Sequence, residues 1–142
     1  MCFRSVAMFA LLALAACGRS QPEPVALPQV SGVPYQVLLR TFHDGDYADQ
    51  PFHLLVKTPA DDDPKTVLRA AQCKNVSVAQ TADKVYVFYE ELTLAGFTSI
   101  EFDSREPTVL LCDQHASECI DARQRLERVG AKLSRVCTYS TP

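Results

Sequence analysis

The chain lacks a surplus of positive charge, a membrane-spanning apolar run and the common catalytic signatures. Its 142 residues carry 14 Lys and Arg against 17 Asp and Glu, a formal net charge of −3. A dedicated nucleic-acid-binding domain is usually basic, so this balance argues against one. The one long apolar stretch, at the start, falls short of the roughly 20 residues needed to cross a bilayer. No G-x-S-x-G elbow, H-E-x-x-H helix, P-loop or G-x-G-x-x-G turn occurs. The length suits one domain rather than two, and no internal repeat is visible.

What is present is unevenly distributed. Of the first 16 residues, 14 are apolar. Met1 to Ser5 carries one positive charge, Arg4, and Val6 to Leu14 is an uninterrupted apolar run. Leu14-Ala15-Ala16-Cys17 follows, with small residues just before a cysteine. A charged start, a short apolar middle and a small-residue cleavage site define a secretory signal peptide. A retained helix of this kind would have no polar face to show to water.

The ending resembles the lipobox of bacterial lipoproteins, in which Leu and two small residues precede a cysteine. The likeness is confined to the first 17 residues. It implies that residues 1–16 are removed, that Cys17 is acylated with palmitate-like chains, and that the mature chain is held on a membrane. Each buried methylene adds about 0.8 kcal/mol, so several acyl chains anchor firmly where one does not. Gly18 stands where an Asp would imply inner-membrane retention. The resemblance therefore implies an outer-membrane anchor, with the domain expected in the periplasm.

Residues 17–34 hold Cys17 and then Pro22, Pro24, Pro28 and Pro34. Proline fixes φ and removes a backbone donor, so helix and central strand are both disfavoured. The segment reads as a semi-rigid tether with a reach on the order of 50 Å. The alternative is that Val25 to Val33 packs on the domain as an irregular arm.

Residues 35–142 read as a single α+β domain with a small, mainly antiparallel sheet of five to seven strands and two helices. Strands are expected over Tyr35–His43 and Phe52–Thr58, joined by the turn residues Asp44-Gly45-Asp46. Asp61-Asp62-Asp63 before Pro64 suits a helix start, and a short helix is expected from Pro64 to Gln72. Asn75–Gln80 and Lys84–Leu92 read as a hairpin. In its second strand, Val85 and Val87 alternate with Tyr86 and Phe88, which predicts a central strand covered on both faces. Phe97–Asp103 and Thr108–Cys112 are further short strands. Cys119, Ala122, Leu126, Val129 and Leu133 recur at steps of three and four and mark a second helix over Ala116–Leu133. Ser134–Ser140 is a possible last strand.

Six cysteines are present. Cys2 leaves with the signal peptide and Cys17 is assigned to the lipid. Cys73, Cys112, Cys119 and Cys137 remain, an even number that suggests two disulfides in an exported domain. Four cysteines allow three pairings. The favoured one joins Cys112 to Cys119 and Cys73 to Cys137. A zinc site using His115 with these cysteines lacks the tight C-x₂₋₄-C spacing of a structural zinc knuckle, so no metal or other cofactor is expected.

Other candidates are weak. His43 and His53 flank the first turn and read as strand-end histidines rather than a metal or acid–base pair. Asp44-Gly45-Asp46-Tyr47-Ala48-Asp49 opens like a calcium loop. It departs at Asp49, where Gly is wanted, and at Leu55, where Glu is wanted. Glu90 and Glu91, adjacent on an expected strand, should point to opposite faces. Asn75-Val76-Ser77 matches a glycosylation acceptor, which has little meaning in a bacterial lipoprotein.

Charge is the feature that goes beyond this. Asp44, Asp46, Asp49, Asp61, Asp62 and Asp63 lie in a window with only Lys57 to offset them. Arg123, Arg125, Arg128, Lys132 and Arg135 lie in a window with only Glu127. Either group could meet a partner of opposite sign, the other group included. The expectation is a lipid-anchored, non-catalytic binding or accessory protein of an envelope or secretion assembly. It has a protein partner and does not act on nucleic acid. The alternative is a periplasmic inhibitor or immunity protein against a cell-wall hydrolase or toxin.

Overall fold

The computed structural model describes residues 20–42, 50–96 and 107–137. They form nine strands and one helix: β1 (Val25–Ala26), β2 (Gln36–Thr41), β3 (Phe52–Lys57), β4 (Lys65–Lys74), β5 (Val76–Gln80), β6 (Lys84–Tyr89), β7 (Glu91–Gly96), β8 (Thr108–Asp113), α1 (Ser117–Arg128) and β9 (Ser134–Cys137). The first sheet has the order β1-β2-β3-β4-β7 and is antiparallel throughout. The second has the order β8-β6-β5-β9, with β8 parallel to β6.

Period-2 alternation gives each sheet an inner face. Val37, Leu54, Val56 and Leu68 of the first sheet share one core with Val76, Val78, Val85 and Val87 of the second. The two sheets therefore pack as a sandwich. On its other face the second sheet carries Phe88, Ala79 and Cys112, packed with Leu126, Cys119 and Leu133. So β6 does lie inside its sheet with apolar cover on both sides, as its double alternation predicts. Burying a Val, Leu or Phe side chain contributes about 1.5–3 kcal/mol, so both layers matter to stability.

The α+β expectation is overturned: the fold is mostly β, with one described helix instead of two. The segment expected as a helix from Pro64 to Gln72 is strand β4. The Asp61 carboxylate does not reach forward to cap a helix. It accepts from Thr58 N at 3.2 Å and from Thr58 Oγ1 at 2.6 Å, closing a turn that feeds Pro64 into the strand. Proline is tolerated just ahead of a strand. β4 then pairs with β3 on one side and β7 on the other, a gain that local propensity does not register.

Two other boundaries move. The strand expected to run to Leu92 turns at Glu90, and β7 crosses to the first sheet. Asn75, at φ +50°, makes the matching corner between β4 and β5. Its side-chain amide donates to the Glu90 carboxylate, Lys74 Nζ lies 2.9 Å from Glu90 and 3.5 Å from Glu91, and Gln114 Nε2 donates to the Asn75 carbonyl at 2.7 Å. Glu90 and Glu91 thus serve one lysine, because Glu90 sits in a turn where strand alternation does not apply. Helix α1 stops short of Leu133. Gly130, at φ +76°, donates to the Glu127 carbonyl at 3.0 Å, and Ala131 donates to that of Leu126 at 2.9 Å. These are the two bonds of a Schellman stop.

The proline-spaced segment is partly docked. β1 pairs with β2, Leu27 N donates to the Val37 carbonyl at 2.8 Å, and Val33 joins the core with Leu27 and Val30 packed against it. The packed-arm alternative describes residues 25–33. The expected strand over Phe97–Asp103 lies outside the described residues.

Tyr35 ties the sandwich together. Its side chain is buried in the core, and its hydroxyl lies 2.6 Å from the Thr81 carbonyl and 2.8 Å from that of Lys84 in the β5–β6 turn. Burial, then the nearby Asp83, pushes its phenol well above the ordinary range, so it stays protonated and donating. Tyr35→Phe is expected to cost about 1–2 kcal/mol, because a carbonyl loses its donor. Urea denaturation at neutral pH checks this.

Candidate functional site

Cys17, His43, Asp44, Asp46 and Asp49 lie outside the described residues. Of the remaining acidic candidates, Asp61 is engaged locally. Besides Thr58 it pairs with Lys65 at 3.0 Å, and these hydrogen bonds hold its carboxyl down at about 2. Asp62 and Asp63 are exposed. Neither they nor Asp61 form an ion pair with a basic residue of α1 or of the segment after it.

The basic candidates are spread along α1 and just beyond it. Arg123 is paired with Glu127 at 3.1 Å, four residues on. Arg125 and Arg128 occupy the last turn, where cations complement the helix dipole. Both are exposed, as are Lys132 and Arg135. None of these four has a carboxylate partner among the described residues. Val129, next to Arg128, is 79% exposed. The structure thus brings three of the predicted cations, Arg125, Arg128 and Lys132, to one helix end around an exposed apolar side chain.

Among the described residues one disulfide is present. Cys73 on β4 is bonded to Cys137 on β9, which links the two sheets as the favoured pairing expects. The second expected bridge is absent: Cys112 and Cys119 are thiols. They sit together under α1, Cys112 at the end of β8 and Cys119 in the first helical turn. Burial, then a hydrogen bond with Cys119, pushes the Cys112 thiol up to about 12. Since the thiolate is the reactive form, Cys112 is expected to resist iodoacetamide at pH 8 in the native fold and to react once unfolded. Mass spectrometry of alkylated peptides under both conditions checks this. His115 is exposed, and no group of three or more potential metal ligands occurs among the described residues.

A second cationic surface was not foreseen. β2, β3 and β4 contain Arg40, Lys57, Lys65, Arg69 and Lys74 and no Asp or Glu. Lys65 and Lys74 are paired with carboxylates. Arg40, His53 and Arg69 stand in one cross-strand row, because Arg40 is in register with His53 and His53 with Arg69. Their neighbours in sequence, Leu39, Leu54, Leu68 and Ala70, belong to the core, so the row faces outward. Phe42 stacks edge-on against His53 at 4.7 Å. Burial, then Arg69 and Arg40, pushes the His53 imidazole below its ordinary range. The sequence signal was the acid-free run of three strands, but with β4 read as a helix Arg69 could not be set beside His53.

Lys57 of the second surface lines an open, shallow groove of about 350 Å³ with Gln29, Gln36 and Thr58. A cleft beside the disulfide, lined by Thr41, Phe42, Gln50, Phe52, Val136 and Cys137, measures about 100 Å³. Small-molecule sites usually measure roughly 300–1,000 Å³. Compared with family models, curated proteins and solved structures, the chain has no significant match.

Proposed function

We propose that the chain is an outer-membrane-anchored envelope lipoprotein, held by acylated Cys17 with its domain in the periplasm. Its role there is non-catalytic: it binds an acidic protein partner through the end of α1. The anchor reading is supported by Leu14-Ala15-Ala16-Cys17 behind an apolar run. The Cys73–Cys137 disulfide suits an oxidising compartment.

The binding reading is carried by one observation. Arg125, Arg128 and Lys132 stand exposed at the end of α1 beside exposed Val129, without carboxylate partners among the described residues. Arginine beside an exposed apolar side chain is the composition favoured where proteins meet, and a one-sign patch steers an opposite-sign partner. The described aspartates give the inhibitor alternative no assembled face, because Asp61 is engaged by Thr58 and Lys65.

The test is cross-linking in the native envelope, followed by capture of the anchored protein and identification of what comes with it. A protein captured by the wild type should be lost from the Arg125→Glu/Arg128→Glu variant and retained by an Asp62→Asn/Asp63→Asn control. Equal capture by the wild type and the charge-reversed helix contradicts the assignment.

A further inference from the structure

The outer face of the first sheet lies on the opposite side of the sandwich from α1; it is covered at Leu55, which is 2% exposed between His53 and Lys57, and open at Arg69. We propose that this face is a membrane-docking surface that binds the phosphates of anionic lipid headgroups through Arg40, Lys57 and Arg69. The inference rests on the anchor reading and deepens it, since it says how the tethered domain lies.

Four observations converge. The three strands at the middle of the sheet carry five cations and no acid, and Arg40, Lys57 and Arg69 have no carboxylate partner among the described residues. Arg40 and Arg69 flank one histidine, so positive charge is concentrated in a single row. The Arg69 side chain is exposed, and a guanidinium fork is well matched to phosphate oxygens.

The fourth observation is the reach of the anchor. Arg40 Nη1 donates to Gln21 Oε1 at 2.6 Å. Gln21 is four residues from Cys17, so covalent geometry keeps their Cα atoms within about 14 Å. An acyl chain on Cys17 would therefore hold the Arg40 end of the row close to the headgroups. There each cation is worth roughly fivefold in affinity, and three together roughly a hundredfold.

The experiment uses the acylated full-length protein in phosphatidylcholine nanodiscs, with and without phosphatidylglycerol, carrying a headgroup-nitroxide lipid. Acylation is read first, from the mass of the Cys17 peptide. With phosphatidylglycerol, nuclear relaxation should be enhanced several-fold more at the backbone amides of Arg40, His53 and Arg69 than at those of α1. At His53 and Arg69 the difference should fall several-fold without phosphatidylglycerol and in a Lys57→Glu/Arg69→Glu variant, leaving the enhancement that the Cys17 anchor gives near Arg40. The difference should also shrink when salt is raised to about 1 M, which shortens the Debye length to about 3 Å. Arg69 is exposed, so that variant is expected to fold.

Acylated protein with equal enhancement on both faces, or more at α1, overturns the docking face and leaves the anchor standing. Unacylated Cys17 overturns both. If the face responds to soluble polyglutamate but not to phosphatidylglycerol, it belongs to an acidic protein and the lipid proposal is overturned.

Discussion

Replacing Cys73 and Cys137 with alanine should lower the stability of the domain by about 4 kcal/mol. The bridged residues are 64 apart in sequence, and one is in each sheet. In the chain-entropy picture a closed loop of this length removes much of the freedom of the unfolded state, so the effect comes mainly from the reference state. A small domain has only about 5–15 kcal/mol of stability, so the loss is a large share of it. Dithiothreitol should reproduce the loss in the wild type and do nothing further to the double variant. The check is the urea midpoint of each protein with and without reductant. An unchanged midpoint on reduction would mean that the bridge contributes nothing.

Phe88→Ala should cost about 3–5 kcal/mol, the usual range for truncating a buried phenylalanine. The side chain is fully buried on the outer face of the second sheet and is the largest of the buried side chains in the layer that holds α1. Its loss removes the surface on which Leu126 and Cys119 rest, while Val85 and Val87 on the opposite face keep the sandwich core intact. The damage should therefore be polarised. Hydrogen exchange should rise in α1 well before it rises in β3 or β4, and Cys112 should become alkylatable. Uniform loosening of both layers would contradict the separation into two clusters.

The local hairpin of β5 and β6, strand β8 and helix α1 were legible because each carries a clean period and short-range partners. Phe88 shows this best, since its alternation with Val85 and Val87 announced cover on both sides. β4 was not legible. Its register shifts around Ala70 break the alternation of a strand, and Val67, Leu68 and Ala71 then fall at helical spacing. Its strand partners lie on β3 and β7, and the pairing that decides the conformation is not local. β7 was hidden because the chain reverses at Glu90 without Gly or Pro to mark the corner.

The candidate surfaces divide in the same way. Arg125 and Arg128 were read correctly onto one helix, because helical spacing is a local property; Lys132, expected on the same helix, lies beyond its Schellman stop. The row Arg40–His53–Arg69 needed three strands in register and became visible only in three dimensions. The thiols of Cys112 and Cys119 were paired correctly in space but not in bonding.

The membrane-docking face depends on the chain being held at a membrane through Cys17. The most direct test is metabolic labelling with a radiolabelled or alkyne fatty acid in a diderm host, comparing wild type with Cys17→Ala. Label on the wild type and none on the variant is the expected result. Equal labelling of the two, or none on either with both proteins made in full, would contradict the anchor and the membrane-docking face that rests on it.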